Sequence, residues 1–340
     1  MSAPDPRANP LLRGHEVAEA QVAEAMRAGR LHHAWLITGP PGIGKATLAF
    51  RFARRLLAGP PEGDSLALPE THPVFHRVAA ASHADLLTIE REIDPKTKRM
   101  RSEIIVEQAR DIPHFMHLTP AEGGWRVVVI DGAEDLNGNS ANAVLKMLEE
   151  PPARAILLLT CAAPGRLLPT IRSRCRRLAL APLGQTSLVG LLGTYRPDLA
   201  PDAASRIVSL AEGSIGRALE LATGGVGYAE MVDVVLRAVP NVTAAQAHAI
   251  ADKLGRDADA FASFMDMLRA GLAAAVRDAA RGRADPEQTR LLGTRPLAAW
   301  VDVWHALTRL QDETEGAYLD KRQAIVAGLG LLAGNAPRIQ

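Results

Sequence analysis

Apolar and polar positions alternate differently on the two sides of residue 182. Before it, short buried-strand runs alternate with helical patterns; after it, alanine-rich helical stretches run to the end without a strong strand pattern. Gly14 to Ala28 places Val17, Ala18, Val22, Ala25 and Met26 near one helical face, and Gly29 closes it. Ala34 to Thr38 reads as a buried parallel strand, and Thr47 to Leu57 as a helix of apolar residues and arginines. Residues 58–81 shift to Gly, Pro, Glu and His, which predicts an irregular insertion. Ala84 to Glu90 reads as a strand and Asp94 to Arg101 as an exposed turn. Ser102 is the expected cap of a helix carrying Ile104, Ile105, Ala109 and Ile112. Trp125 to Ile130 is a β-branched strand ending at Asp131. Asn137 to Glu150 is a helix with Ala141, Val144, Leu145 and Leu148 inward, stopped by Pro151 and Pro152, and Ala155 to Thr160 is another buried strand.

This alternation predicts an α/β domain over residues 1–182, a parallel sheet with flanking helices. Residues 183–225 predict a small helical domain of two or three short helices, punctuated by Gly213 and Gly216. Gly224, Gly225 and Gly227 read as a linker to an all-α domain over 226–340. Its longer helices include Phe261 to Ala280 and Leu297 to Leu310, where Trp300 and Trp304 lie four apart and read as core packing.

Composition narrows the function. The 340 residues suffice for two or three domains at roughly 150 residues each. With 39 Lys plus Arg against 38 Asp plus Glu, there is no global charge for autonomous nucleic-acid binding, so any DNA contact is local or shared with partners. Cys161 and Cys175 cannot build a disulfide framework or a four-cysteine zinc site. Met1 to Pro10 has no apolar signal core and no run approaches 18 apolar residues, which predicts a soluble, cytoplasmic protein. His72, His76 and His83 lack a cysteine or an acidic partner in register and read as solvated loop residues, with no metal site.

The candidate chemistry lies between the first strand and its helix. Gly39, Gly44 and Lys45 meet the phosphate-loop pattern G-x-x-x-x-G-K-[ST], with Gly42 inside it; the glycines let backbone N–H groups surround phosphate oxygens and the lysine neutralises them. The hydroxyl that should follow and help hold Mg²⁺ is replaced by Ala46. Asp131, at the end of a strand, is laid out as the acidic partner of such a loop.

Three more stretches join these: Asn137 to Pro152, containing N-A-x-L-K-x-L-E-E-P; Leu167 to Cys175, containing L-P-T-I-x-S-R-C; and Gly213 to Leu221. In this order behind a phosphate loop they resemble the bacterial clamp-loader AAA+ ATPase family of DNA polymerase III, by motif over residues 14 to about 225. Within it the chain looks more like the delta-prime branch than the gamma/tau motor branch. The resemblance implies a P-loop AAA+ domain, a helical lid and a C-terminal collar. It also implies a five-subunit ring with gamma/tau-type motor and delta-type subunits that loads the sliding clamp on primed DNA.

Three departures from the motor pattern imply that this chain does not turn ATP over. Ala46 removes the metal-holding hydroxyl, and Thr47 points about 100° away on the helix. Gly132 stands where motor members carry a water-activating Glu, with Glu134 three places past Asp131. Gly216 stands where the lid motif G-S-x-R carries its arginine, with Arg217 one place late. The loop could still hold ATP, ADP or sulfate weakly, and no cofactor is required. The resemblance makes Arg174 a finger reaching the ATP of a neighbouring subunit and gives Thr160 the nucleotide-sensing position. Many relatives carry a four-cysteine zinc module over the segment matching residues 58–83; without cysteines there, none is expected here. Arg172, Arg176 and Arg177 are left as surface or DNA-facing charge. The alternative is an active gamma/tau-type ATPase in which Thr47 and Glu134 take over; a DNA-binding AAA+ adaptor outside the clamp loader is a second, disfavoured by the neutral charge.

Overall fold

A computed structural model describes residues 4–95, 100–122, 124–223, 226–255, 258–316 and 319–334. The chain divides into two compact units, one of residues 3–187 with 213–216, the other of 188–212 with the helices from 217 onward.

In the first unit the elements are α1 (Glu16–Arg27), β1 (Ala34–Thr38), α2 (Lys45–Ala58), α3 (Pro73–Ala79), β2 (Leu86–Ile89), α4 (Val106–Ala109), α5 (Asp111–His117), β3 (Arg126–Ile130), α6 (Gly138–Glu149), β4 (Ala155–Cys161), α7 (Pro169–Arg174) and β5 (Arg176–Ala179). The strands form one parallel sheet in the order β2-β3-β4-β1-β5. β1, β3 and β4 are buried along their whole length, as central parallel strands covered on both faces must be. Alternate side chains feed two core layers. Trp35, Ile37, Val127, Val129, Ile156 and Leu158 pack with α1, α2 and α3, while Leu36, Val128, Ile130, Leu157 and Leu159 pack with residues of α4 to α7. This is the α/β architecture the hydrophobic pattern predicts.

Arginines of α2 anchor the chain's first described segment. Arg54, 1% exposed, donates to the carbonyls of Arg7 and Asn9 at 2.9 and 2.8 Å and lies over the Phe75 ring; burial pushes its guanidinium down to about 10. Arg51 pairs with buried Glu19 at 2.8 Å and donates to the Pro10 carbonyl. A buried arginine on a helix thus contributes packing as well as charge.

Three local expectations change. Residues 58–81 are not wholly irregular: Pro73 opens α3, where its missing N–H costs nothing, and His72 Nδ1 caps the helix by accepting from Val74 N–H. Ser102 does not cap a helix. Ile104 forms a parallel bridge with Leu136, its N–H bonding Asp135 and its carbonyl receiving Asn137 N–H, and so the helix waits until Val106. Gly227 lies inside a helix instead of a linker, while Gly224 and Gly225 fall outside the described residues, as do residues 96–99 of the expected exposed turn.

His83 is 5% exposed, its Nδ1 accepting the Asp85 N–H, beside a carboxylate that holds the N–H groups of Ala121 and Glu122. Burial lowers the affinity of its imidazole for a proton, against a smaller pull from Glu122. The unfolded chain therefore binds this proton first, near pH 6.5, and stability should fall as pH drops through and below that value. Denaturant melts between pH 7.5 and 5.5 should show His83→Gln losing less stability on acidification than the parent; equal losses would refute the assignment.

The regular elements of the second unit are all helices among the described residues: α8 (Gln185–Tyr195, begun in the first unit), α9 (Pro201–Leu210), α10 (Ile215–Thr223, also begun in the first unit), α11 (Val226–Ala238), α12 (Ala244–Leu254), α13 (Ala258–Ala280), α14 (Pro286–Leu292), α15 (Leu297–Gly316) and α16 (Lys321–Ala333). α13 packs on α11 and α15, and α16 on α12 and α15. Trp300 is fully buried, its indole N–H on the Leu292 carbonyl; Trp304 is half-buried. Among the described residues no helix is long and apolar enough to cross a membrane.

Candidate phosphate site and the Arg174 surface

β1 delivers the chain to the carboxyl edge of the sheet, where Gly39 N–H bonds the Cys161 carbonyl of β4 at 3.2 Å. Gly44 caps α2 in the left-handed region, and α2 begins at Lys45. Strand, glycine loop and helix therefore stand in the order that a phosphate loop requires. A cavity of about 620 Å³ opens beside it, lined in part by Gly42, Lys45, Asp131, Gly132, Glu134 and Thr160. Of the expected nucleotide-binding residues, Gly42, Lys45, Asp131 and Thr160 meet here. Gly39 and Gly44 shape the loop, and Thr47 lies outside the lining, buried along α2 at 8% exposure.

Lys45, Thr160 and Asp131 are already engaged within the cavity. Lys45 Nζ donates to the Pro40 carbonyl of its own loop at 2.7 Å, and burial lowers the affinity of the ammonium for its proton, against the pull of Glu134 and then Asp131. The Thr160 hydroxyl donates to Asp131 Oδ1 at 2.5 Å and accepts the Gly132 N–H at 2.9 Å, so it ties β4 to the end of β3. Gly132 has φ +80°, a left-handed conformation that disfavours side chains, and leads into a single 3₁₀ turn at Ala133–Asp135. That turn carries Glu134 back over the site, where Oε1 accepts the Ala162 N–H at 2.7 Å. Cys161 lies beside it, its thiol pushed up to about 12 by burial and then by the Glu134 charge.

Two contacts hold the loop from outside. His15 Nε2 donates to the Ile43 carbonyl at 2.7 Å, and Gly216 N–H donates to the Gly42 carbonyl at 2.8 Å. A Cβ at position 216 would stand 2.9 Å from Gly42 Cα, so Gly216 is pressed onto the phosphate loop by its backbone. Arg217 pairs instead with Glu212. The pattern of the sequence does not assign His15 or the Gly216 contact to the site, and it brings in Glu134 only under the active-ATPase alternative. Glu134 sits in no standard register after Asp131, and only the 3₁₀ turn brings it in.

Arg174 belongs to a different surface. It ends α7, a short helix opened by Pro169, with its side chain 37% exposed; one guanidinium nitrogen meets Glu149 Oε1 at 3.0 Å and the other donates to the Thr170 carbonyl at 3.1 Å. Nearby, Arg172 bonds the Pro164 carbonyl, Arg176 lies over the Trp35 ring and Arg177 reaches Thr38 Oγ1 at 3.3 Å.

Comparison with known proteins gives the family of the chain. The family described as DNA polymerase III, delta subunit, matches residues 14–184. The chain is 38% identical over 182 residues to DNA polymerase III subunit delta′ of Pseudomonas aeruginosa, covering 54% of this chain and 53% of that protein. It is 33% identical over 205 residues to subunit delta′ of Escherichia coli, covering 60% and 58%. Subunit tau of Escherichia coli is 32% identical over 213 residues, 61% of this chain and 31% of that protein. Among solved structures, a gamma subunit-related protein of DNA polymerase III from Thermotoga maritima aligns with TM-score 0.49 and 17% identity, covering 94% of this chain and 99% of that one. The matches span a little over half the length of the delta′ relatives. With its family match covering half of the sequence, and with delta′ relatives at 33 to 38% identity, the chain belongs to the DNA polymerase III delta-subunit family of clamp-loader proteins.

Proposed function

We propose that this chain is a delta-prime-like subunit of the DNA polymerase III clamp loader that does not hydrolyse ATP itself and lends Arg174 to the ATP of a neighbouring motor subunit. The observation that carries the reading is the metal side of the phosphate cavity. Ala46 has no hydroxyl, and Thr47, the nearest substitute, does not line the cavity. Phosphoryl transfer rests on positioning and charge neutralisation, so a site without that ligand, without a side chain at 132 and without an arginine at 216 lacks most of what lowers the barrier. The partners are gamma/tau-type motor subunits and a delta-type subunit, with the sliding clamp and primed DNA met through the complex in the cytoplasm. Neither zinc nor a bound nucleotide is needed.

Glu134 favours a second reading, an active gamma/tau-type ATPase, because it does reach the cavity. Its Oε1 is spent on Ala162 N–H, and it has no Thr47 hydroxyl to work with there. The test is ATP turnover by the isolated chain with primed DNA and Mg²⁺, followed by co-purification with motor and delta-type subunits. No turnover and a stable complex are expected. Mg²⁺-dependent hydrolysis abolished by Lys45→Ala, or failure to assemble, would overturn the proposal.

A further inference from the structure

The charged groups lining the phosphate cavity do not cancel. Asp135 pairs with Arg91 at 3.2 Å and with Arg166 at 3.7 Å, and Glu90 pairs with Arg7 at 2.6 Å, which leaves Lys45 facing two carboxylates, Asp131 and Glu134. Asp131 is partly satisfied by the Thr160 hydroxyl. Glu134 is held rigidly by Ala162 N–H through Oε1, while Oε2 is buried without a hydrogen-bond partner. A buried carboxylate oxygen in that state is costly unless a positive charge compensates for it. Lys45 is the cation of the same cavity that no salt bridge within 4 Å engages among the described residues, its Nζ resting on the Pro40 carbonyl.

We infer that Glu134 is the specificity-determining residue of this cavity, a fixed internal anion that answers Lys45 and excludes polyphosphates from the loop. The inference rests on the non-hydrolysing reading above, because in a motor the bound Mg²⁺ offsets the acidic strand. Here Ala46 leaves the metal without its hydroxyl ligand, so an entering di- or triphosphate meets Asp131 and Glu134 with only Lys45 to offset the two carboxylates. The charge of Glu134 is also felt by its other neighbour: it is the next largest influence after burial on the raised Cys161 thiol. A ligand for the neutralised cavity is a pyrophosphate unit, as in a nucleoside diphosphate, engaging the loop glycines and Lys45.

The experiment measures binding of ADP and of inorganic pyrophosphate to the full chain by calorimetry, with and without Mg²⁺. Glu134→Gln keeps an oxygen for Ala162 N–H and removes the charge; it should tighten both ligands roughly tenfold or more in the absence of Mg²⁺. Glu134→Ala, which also frees the Ala162 N–H, is a second variant with the same expected direction, and thermal melts report that each is folded. Lys45→Ala added to Glu134→Gln should cancel the gain. Unchanged affinity in the folded variants, or a gain that survives the loss of Lys45, would overturn the assignment. ATP turnover is followed in parallel. Hydrolysis by the parent chain sinks the non-hydrolysing reading, whereas equal affinities without turnover sink only the role given to Glu134.

Discussion

Replacing Arg174 by Ala in a reconstituted clamp loader is expected to slow ATP turnover at the one site it serves by roughly 10³- to 10⁵-fold while leaving assembly intact. The size follows from the chemistry: a planar, permanently charged fork stabilises charge spreading over phosphate oxygens as the bond breaks. An ammonium restores the charge without the fork, so Arg174→Lys should recover only a fraction of the rate. Intact assembly follows from the structure. Arg174 ends a one-turn-and-a-half helix, partly exposed, and its local partners are Glu149 and the Thr170 carbonyl. A surface pair of this kind is worth about 0 to 1 kcal/mol, so its loss hardly touches the fold. Turnover is best read in complexes whose other motor sites are disabled, since their activity would mask the one affected. An unchanged rate there would remove Arg174 from the mechanism.

Writing the motor residues back, as Ala46→Thr, Gly132→Glu and Gly216→Arg together, is expected not to produce an ATPase and to cost stability at both glycines. At 132 the backbone has φ +80°, where an ordinary residue is strained by about 1 to 3 kcal/mol. Relaxing it would disturb the Gly132 N–H bond to Thr160 and the 3₁₀ turn that positions Glu134. At 216 the first side-chain carbon would stand 2.9 Å from Gly42 Cα, against backbone that cannot rotate away, a further overpacking cost of about 1 to 3 kcal/mol. Ala46→Thr alone should be mild. Denaturant melts of the single variants and Mg²⁺-dependent turnover of the triple variant check this; a triple variant as stable as the parent that hydrolyses ATP would refute it.

Continuous patterns in the chain are the easiest to read. β1, β3 and β4 announce themselves as apolar, β-branched runs because a central parallel strand is buried on both faces, and α6 ends where Pro151 and Pro152 forbid another turn. The phosphate loop is legible too, since its glycines and lysine lie within a few residues of one another. What escapes a linear reading is contact between residues far apart in sequence. Glu134 bonds Ala162 and His15 reaches Ile43, each across 28 positions, and Gly216 bonds Gly42 across a domain's worth of chain. Ser102 looks like a cap only because Ile104, an apolar residue at helical spacing, is used as a bridge to Leu136.

Because the Gly216 amide bonds the Gly42 carbonyl and leaves no room for a side chain, a lineage that had long stopped burning ATP would still be held to glycine at 216 by shape alone. On the non-hydrolysing reading proposed above, inventories of molecular engines that count phosphate-loop letters enrol passengers alongside drivers, and the letters that tell the two apart stand at the rim of the signature and beyond it, at 46 and 132.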